Sequence, residues 1–149
     1  MVSALFDDAA MDFLAWLDPG PEAGLGAVLL VSFLSATLLP GGSELVFAGF
    51  LARHPEQWLA AWVLASVGNT AGGMSTYLLA RLLPRPQVPA RVNWLRRHGT
   101  PVLLLAWAPV IGDALCAAAG WLRLDWRASL IWMALGKAAR YALIASLMP

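Results

Sequence analysis

Four charged side chains stand inside otherwise apolar sequence. Glu44 lies in "LLPGGSELVFAGF", Asp113 in "LLLAWAPVIGDALCAAAGWL", and Lys137 and Arg140 in residues 128–149. Two carboxylates and two bases can neutralise one another, a carboxylate can carry a proton, and a base can grip an anionic headgroup. A lone charge at the centre of a bilayer costs about 2.5–3.5 kcal/mol on insertion scales, so charges at that depth pair, face a cavity or mark a transport path. Lys137 and Arg140 are three residues apart and so share one face of a helix. Two readings stay open. The four residues are a salt-bridge set that holds the chain together, or they line a polar path for a headgroup, an ion or a proton.

The two bases differ in kind. Arginine's planar fork can hold a phosphate or carboxylate through two bonds, whereas lysine is a compact charge on a flexible stem. Arg140 is therefore the expected gripping residue. Lys137, one turn earlier, is expected to act on the carboxylates without touching them and to accept arginine in its place.

The elements that position these residues are membrane-like. The chain of 149 residues is one domain's worth, 60% hydrophobic and only 13% charged, with mean hydropathy +0.67. Soluble domains carry about twice that share of charge. The eight tryptophans suit the membrane–water boundary, where an amphipathic ring is satisfied on both sides. Cys116 stands alone, so neither an internal disulfide nor a multi-cysteine metal site is expected. His54 and His98 are far apart in sequence, and no zinc-protease helix, phosphate loop or dinucleotide fingerprint occurs. No metal, cofactor or enzymatic activity is expected. The membrane-depth sequence holds no histidine and no ordered nucleophile–base pair around Ser43, Cys116 or Ser146.

Charge is distributed unevenly along the chain. Asp7, Asp8, Asp12, Asp18 and Glu22 make the first 24 residues acidic, while Arg81, Arg85, Arg91, Arg96 and Arg97 make 81–97 basic. The acidic start lacks the basic region of a cleavable signal peptide. The basic run has little interleaved aromatic character and apolar flanks, which points to membrane topology and away from nucleic acid.

Four apolar stretches follow: 24–52, 57–80, 99–122 and 128–149. A single helix over 24–52 would be roughly 43 Å long, against about 30 Å of hydrocarbon. Pro40, Gly41 and Gly42 near its middle predict a turn instead. The third stretch carries the same kind of break at Pro109 and Gly112. If all four stretches cross, five arginines of the 81–97 loop are cytoplasmic and Arg53, Arg123 and Arg127 fall outside. If the first and third are re-entrant hairpins, Arg123 and Arg127 join the cytoplasmic side and only Arg53 stays outside. The positive-inside rule favours the second topology. It puts both termini outside and the loop 84–98 inside, with a short interfacial helix around 92–97.

The halves also echo each other. Pro40 precedes Glu44 by four residues as Pro109 precedes Asp113; each acid is followed by a glycine, an aromatic and a leucine; and Gly68 and Gly136 come 24 and 23 residues after the acids. The expected organisation is a single domain, 1–149, with an acidic segment 1–23, repeat 24–83, basic loop 84–98 and repeat 99–149. Each repeat is a re-entrant helical hairpin followed by a transmembrane helix, and the two are inverted, as in transporters with broken helices near the midplane. Gly68, Asn69, Gly72 and Gly136 are expected to serve helix packing.

With these residues placed, the chain resembles the DedA/SNARE-associated Golgi (VTT-domain) superfamily and its small YqaA-like branch. The stretches that carry the resemblance are "SFLSATLLPGGSE", "GNTAGG", "LLLAWAPVIGDALCAAAGWLR" and "GKAARY", over most of 32–141. The resemblance implies a multi-pass bacterial inner-membrane protein with two opposed re-entrant hairpins. It implies movement of lipids such as polyprenyl phosphates or phospholipids between leaflets, dependent on protons. By motif position it assigns that work to Glu44, Asp113 and Arg140, with Lys137 beside them. Membrane lipids and protons are the expected partners, self-association is open, and nucleic acid is not expected. The chain is shorter than the larger members of the superfamily, with a compact loop between its halves.

Overall fold

A computed structural model describes residues 20–37, 42–84, 87 and 90–148. Residues 1–19 of the acidic first segment and the turn residues Pro40 and Gly41 lie outside the described residues. Among the described residues the chain is helical throughout, without strands. The helices are α1 (Gly20–Ser35), α2 (Gly42–Arg53), α3 (Trp58–Arg81), α4 (Ala90–His98), α5 (Ile111–Trp121) and α6 (Trp126–Leu147), with 3₁₀ helices at Pro55–Gln57 and Thr100–Trp107.

Length sorts them. With 22 residues, α6 is about 33 Å long and is, among the described helices, the one both long and apolar enough to cross a membrane. At 24 residues α3 has the length, about 36 Å, but its middle is polar and buried: Ser66, Asn69 and Thr70 among Gly68, Gly72 and Gly73. The apolar α1 has 16 residues, about 24 Å, short of a 30 Å hydrocarbon layer.

Close backbone approach explains two of the glycines. A Cβ on Gly68 would strike the carbonyl oxygen of Leu29, and one on Gly72 would strike that of Phe33. Thr76 continues the series, donating to the Ala36 carbonyl at 3.1 Å. The partners advance together along both helices, so α1 and α3 run parallel in near-constant register. Gly136 plays the same part for α6, where a Cβ would sit 2.5 Å from the Leu104 carbonyl of the 3₁₀ segment.

The sequence predicts helical hairpin arms, and the second half departs from that in form. Thr100–Trp107 winds as a 3₁₀ helix, longer than such pieces usually run. The break follows at 108–110, with Pro109 in it and Val110 at φ 64°. Gly42 and Gly112, expected in the turns, instead lie in the first turns of α2 and α5. For Gly112 the reason is space, since a Cβ there would meet the Ala106 backbone. A short helix, expected around 92–97, is present as α4, with Leu95 buried beneath it.

Two apolar cores result, and each borrows from the other half. Val28, Phe47, Phe50, Leu51, Ala61 and Ala65 pack with Tyr141 of α6. Leu103, Ala106, Cys116, Ala119 and Met133 pack with Tyr77 of α3. Tyr141 meets Phe47 edge-on at 5.1 Å between ring centres, and Tyr77 donates to the Leu124 carbonyl. Arg81 donates to the Tyr77 hydroxyl at 2.7 Å and Trp121 to the Pro84 carbonyl at 3.0 Å. The end of α3 is thereby tied to the start of α6.

Candidate functional site

Both carboxylates occupy the same place in their helices. Glu44 is the third residue of α2 and Asp113 the third of α5, each in the first turn after a break. The first N–H groups of a helix have no intrahelical partner, and the helix dipole there is positive, which favours an anion by about 0.3–1 kcal/mol or more when partly buried. That local field is the first reason an acid is tolerated in such apolar sequence.

The second reason is a base opposite each. Arg140 Nη2 pairs with Glu44 Oε1, and Lys137 Nζ lies 3.3 Å from Asp113 Oδ1. Ser43 Oγ also reaches Glu44 Oε2 at 3.5 Å, the limit of a hydrogen bond. Both bases come from the middle of α6. The pair Glu44–Arg140 links the two halves of the chain, while Asp113–Lys137 lies within the second half.

Lys137 departs from the expectation that it acts at a distance. It touches Asp113 directly and also donates to Asn69 Oδ1. Asn69 Nδ2 donates in turn to the Tyr141 hydroxyl at 3.1 Å, which donates to Ser32 Oγ at 3.4 Å. Polar groups of α1, α3, α5 and α6 thus form one buried chain. Asn69, expected to serve helix packing, sits at the centre of α3 and is its hub; Gly68 and Gly72 on either side bring α1 close enough to take part. Tyr141 and Ser32 were not singled out in the sequence. Tyr141 follows Lys137 by four residues and so shares its helix face; that spacing was the available signal.

Exposure separates Lys137 from the other three. Lys137 is 1% exposed, whereas the side chains of Arg140, Glu44 and Asp113 are 12%, 23% and 31% exposed. Arg140 also borders an open cleft of about 320 Å³ formed with Leu104, Trp107, Gly136, Ala139 and Leu143. Among the described residues no group of three His, Cys, Asp or Glu side chains is gathered.

Comparison with known proteins decides the family. The chain is 44% identical over 126 residues to inner membrane protein YqaA of Escherichia coli K12, covering 77% of this chain and 84% of the relative. The protein belongs to the YqaA family. The YqaA protein of Shigella flexneri gives the same identity and coverage. An uncharacterized protein of Haemophilus influenzae is 38% identical over 126 residues, covering 76% of this chain and 80% of its own. No family model and no solved structure matches. A YqaA-family chain is a bacterial inner membrane protein, and that placement sets the cost of the charged cluster. Lys137, eleven residues into the 22 of α6, stands where hydrocarbon would surround a lipid-facing side chain.

Proposed function

We propose that this protein is a lipid or lipid-linked phosphate translocase of the flippase or scramblase type, coupled to protons. It is a non-enzymatic, multi-pass member of the DedA/VTT superfamily, with membrane lipids as its partners. The observation that carries the reading is Arg140, a guanidinium at mid-helix that holds a carboxylate on one side and borders an open apolar cleft on the other. An anionic headgroup entering that cleft competes with Glu44 for the arginine. Glu44, once released, takes up a proton, and gives it back when the headgroup leaves and the ion pair re-forms. The acyl chains stay in apolar surroundings throughout.

The proposed topology has two re-entrant hairpins, α1–α2 and the 3₁₀ segment with α5, entering from opposite faces as inverted repeats. Three features support it. The short α1 runs parallel to α3 and α2 returns to the start of α3. The second break falls at 108–110, next to Asp113. The ties of Tyr77, Arg81 and Trp121 put Arg81, Arg123 and Arg127 at one end of the helix pair, which is the arrangement the positive-inside rule asks for. Single cysteines at Asn93 and Arg123, in a Cys116→Ser background, are then labelled from the same cytoplasmic face. Labelling from opposite faces removes the two-hairpin topology.

A headgroup-accessibility assay tests the activity. Purified protein in proteoliposomes should exchange an anionic fluorescent phospholipid between leaflets, faster with a pH gradient than without, and Arg140→Ala should abolish the exchange. No exchange in either condition would leave the second reading, a structural or membrane-homeostasis protein whose charges hold its two halves together. The Lys137–Asn69–Tyr141–Ser32 chain favours that second reading for its own part of the cluster, because its members are buried and bonded to one another.

A further inference from the structure

A second cleft lies on the opposite flank of α6, away from the Glu44–Arg140 pair. It runs between α3 and α6 with a volume of about 590 Å³. The small side chains of Ala71 and Ala134 leave the room, between the larger Val67, Leu78, Trp126 and Leu130. The two helices are antiparallel here. Tyr77 reaches Leu124 at one end, and Trp62 Nε1 donates to the Ala138 carbonyl at 2.9 Å at the other.

Length and charge together define what fits. The groove follows α3 from Ser66 to Leu78 and α6 from Trp126 to Ala138, twelve residue steps or about 18 Å. One leaflet of hydrocarbon is about 15 Å, half of the bilayer core. The Trp126 end is basic. The Arg127 guanidinium lies 5.3 Å from the Trp126 ring centre, Arg123 is exposed nearby, and Arg81 follows Leu78 by one turn. The acid at this end, Asp125, is engaged by the Ala128 N–H at 2.8 Å as the cap of α6. At the inner end Thr70, 7% exposed and one residue from Asn69, has a hydroxyl without a hydrogen-bond partner among the described residues.

We propose that the α3–α6 groove is a site for one acyl chain of an anionic glycerophospholipid, with the lipid phosphate against Arg127 at the groove's end. Trp126 lies where interfacial tryptophans sit, and the arginines supply the juxtamembrane attraction, about 1 kcal/mol each, that anionic headgroups feel. The site rests on α3 and α6 lying in the membrane and does not require that the protein move lipid.

Brominated lipids test it, because bromine quenches tryptophan only at close range. The full chain is reconstituted in phosphatidylcholine bilayers with a small fraction of dibrominated phosphatidylglycerol or dibrominated phosphatidylcholine, and the contribution of Trp126 is taken as the difference from Trp126→Phe. Quenching of Trp126 should be at least three-fold stronger with the anionic lipid. Arg127→Gln should bring the two lipids to parity, and Ala134→Leu or, independently, Ala71→Leu should weaken quenching by both. Equal quenching by both lipids, unchanged when the groove is filled, would mean ordinary boundary lipid and overturn the site. Shielding of Trp126 from both lipids, with disulfide cross-linking of Ala134→Cys between copies, would mean that a second chain occupies the groove and would overturn it too. Selective quenching without leaflet exchange keeps the site and removes the translocase reading; exchange without selective quenching does the reverse.

Discussion

The two ion pairs use the same parts and are built for different ends. Each joins a carboxylate in the first turn of a helix to a base in the middle of α6. Around Lys137 the structure closes in. A Cβ on Gly73 would lie 3.2 Å from Lys137 Cε and 3.4 Å from Cys116 Sγ, and both of the lysine's partners are protein oxygens. Around Arg140 the structure stays open, with a cleft on one side and a single carboxylate on the other. A charge that is buried and satisfied by protein has no capacity left for a ligand; a charge that is half satisfied beside open space does. On the proposed reading, Lys137 has the structural role and Arg140 the working one.

The largest effect should come from breaking the closed pair. Removing one partner of a fully buried ion pair typically costs about 3–5 kcal/mol, because the other is left uncompensated; Asp113 is 31% exposed, so the cost here should lie at or below the low end of that range. Lys137→Met strands Asp113 and the Asn69 carbonyl together, so the purified protein should melt far below the wild type in detergent or fail to accumulate as a monodisperse species. Lys137→Arg should also be harmful, since the longer, planar side chain must fit against Gly73 and Cys116. The simpler expectation that arginine is tolerated there assumed a lysine without direct contacts. Size-exclusion profiles and melting curves check both variants. A Lys137→Met protein as stable as the wild type would end the structural assignment.

The open pair should respond in function before stability. A bond to a charged group is worth about 1.5–3 kcal/mol, and each 1.36 kcal/mol in a barrier is ten-fold in rate. Arg140→Lys, which keeps the charge but loses the fork, should therefore slow lipid exchange by about ten-fold or more while folding is retained. The double variant Glu44→Gln with Arg140→Gln removes both charges and tests the alternative. If the pair only holds the halves together, this variant recovers activity with folding. A folded and inactive double variant places the charges in transport.

How much of this contrast was legible beforehand follows from what each level of structure depends on. The breaks depend on local chemistry, and Pro109 announced the second, as the flanking apolar runs announced helices. The charges announced themselves by their cost in apolar sequence. Which base meets which acid depends on how four segments cross in space, and no spacing encodes that. Asn69 looked like one more small polar residue in a glycine-rich helix, and its role depends on Lys137, sixty-eight residues away, arriving opposite it. The 3₁₀ winding of 100–107 was equally hidden, because its apolar composition suits an α-helix and close approach to α6 at Gly136 is a tertiary constraint.

Packing under α1 gives a smaller test of the same contrast. Gly68→Ala puts a methyl group against the Leu29 carbonyl, and overpacking of that kind costs about 1–3 kcal/mol. Since α1 carries Ser32 to Tyr141, the displacement should loosen the closed network while leaving the cleft beside Arg140 in place. The melting temperature should fall with lipid exchange per folded molecule nearly unchanged. A loss of exchange larger than the loss of folded protein would show that the two pairs are coupled through α1.

The smallest effect is expected at the second break, where the residue after the proline is not the same as in the first half. The position after Pro40 is Gly41, and the position after Pro109 is Val110. Val110 adopts φ 64° and ψ −54°, the rare and strained γ-turn, closed by the Ile111 N–H donating to the Pro109 carbonyl at 2.6 Å; such a conformation costs a β-branched residue about 1–3 kcal/mol. Glycine adopts it without that penalty but loses about 0.5–1 kcal/mol more conformational entropy on folding. The side chain is also exposed, so little packing is lost. Val110→Gly should thus stabilise the protein by no more than about 2 kcal/mol, read as a small rise in melting temperature. It also frees the turn that sets Asp113 three residues further on. If strain at Val110 serves to aim Asp113 at Lys137, the variant should melt lower than the wild type despite the relief of strain. A lower melting temperature would therefore move Val110 from an accident of the turn to a part of the closed pair.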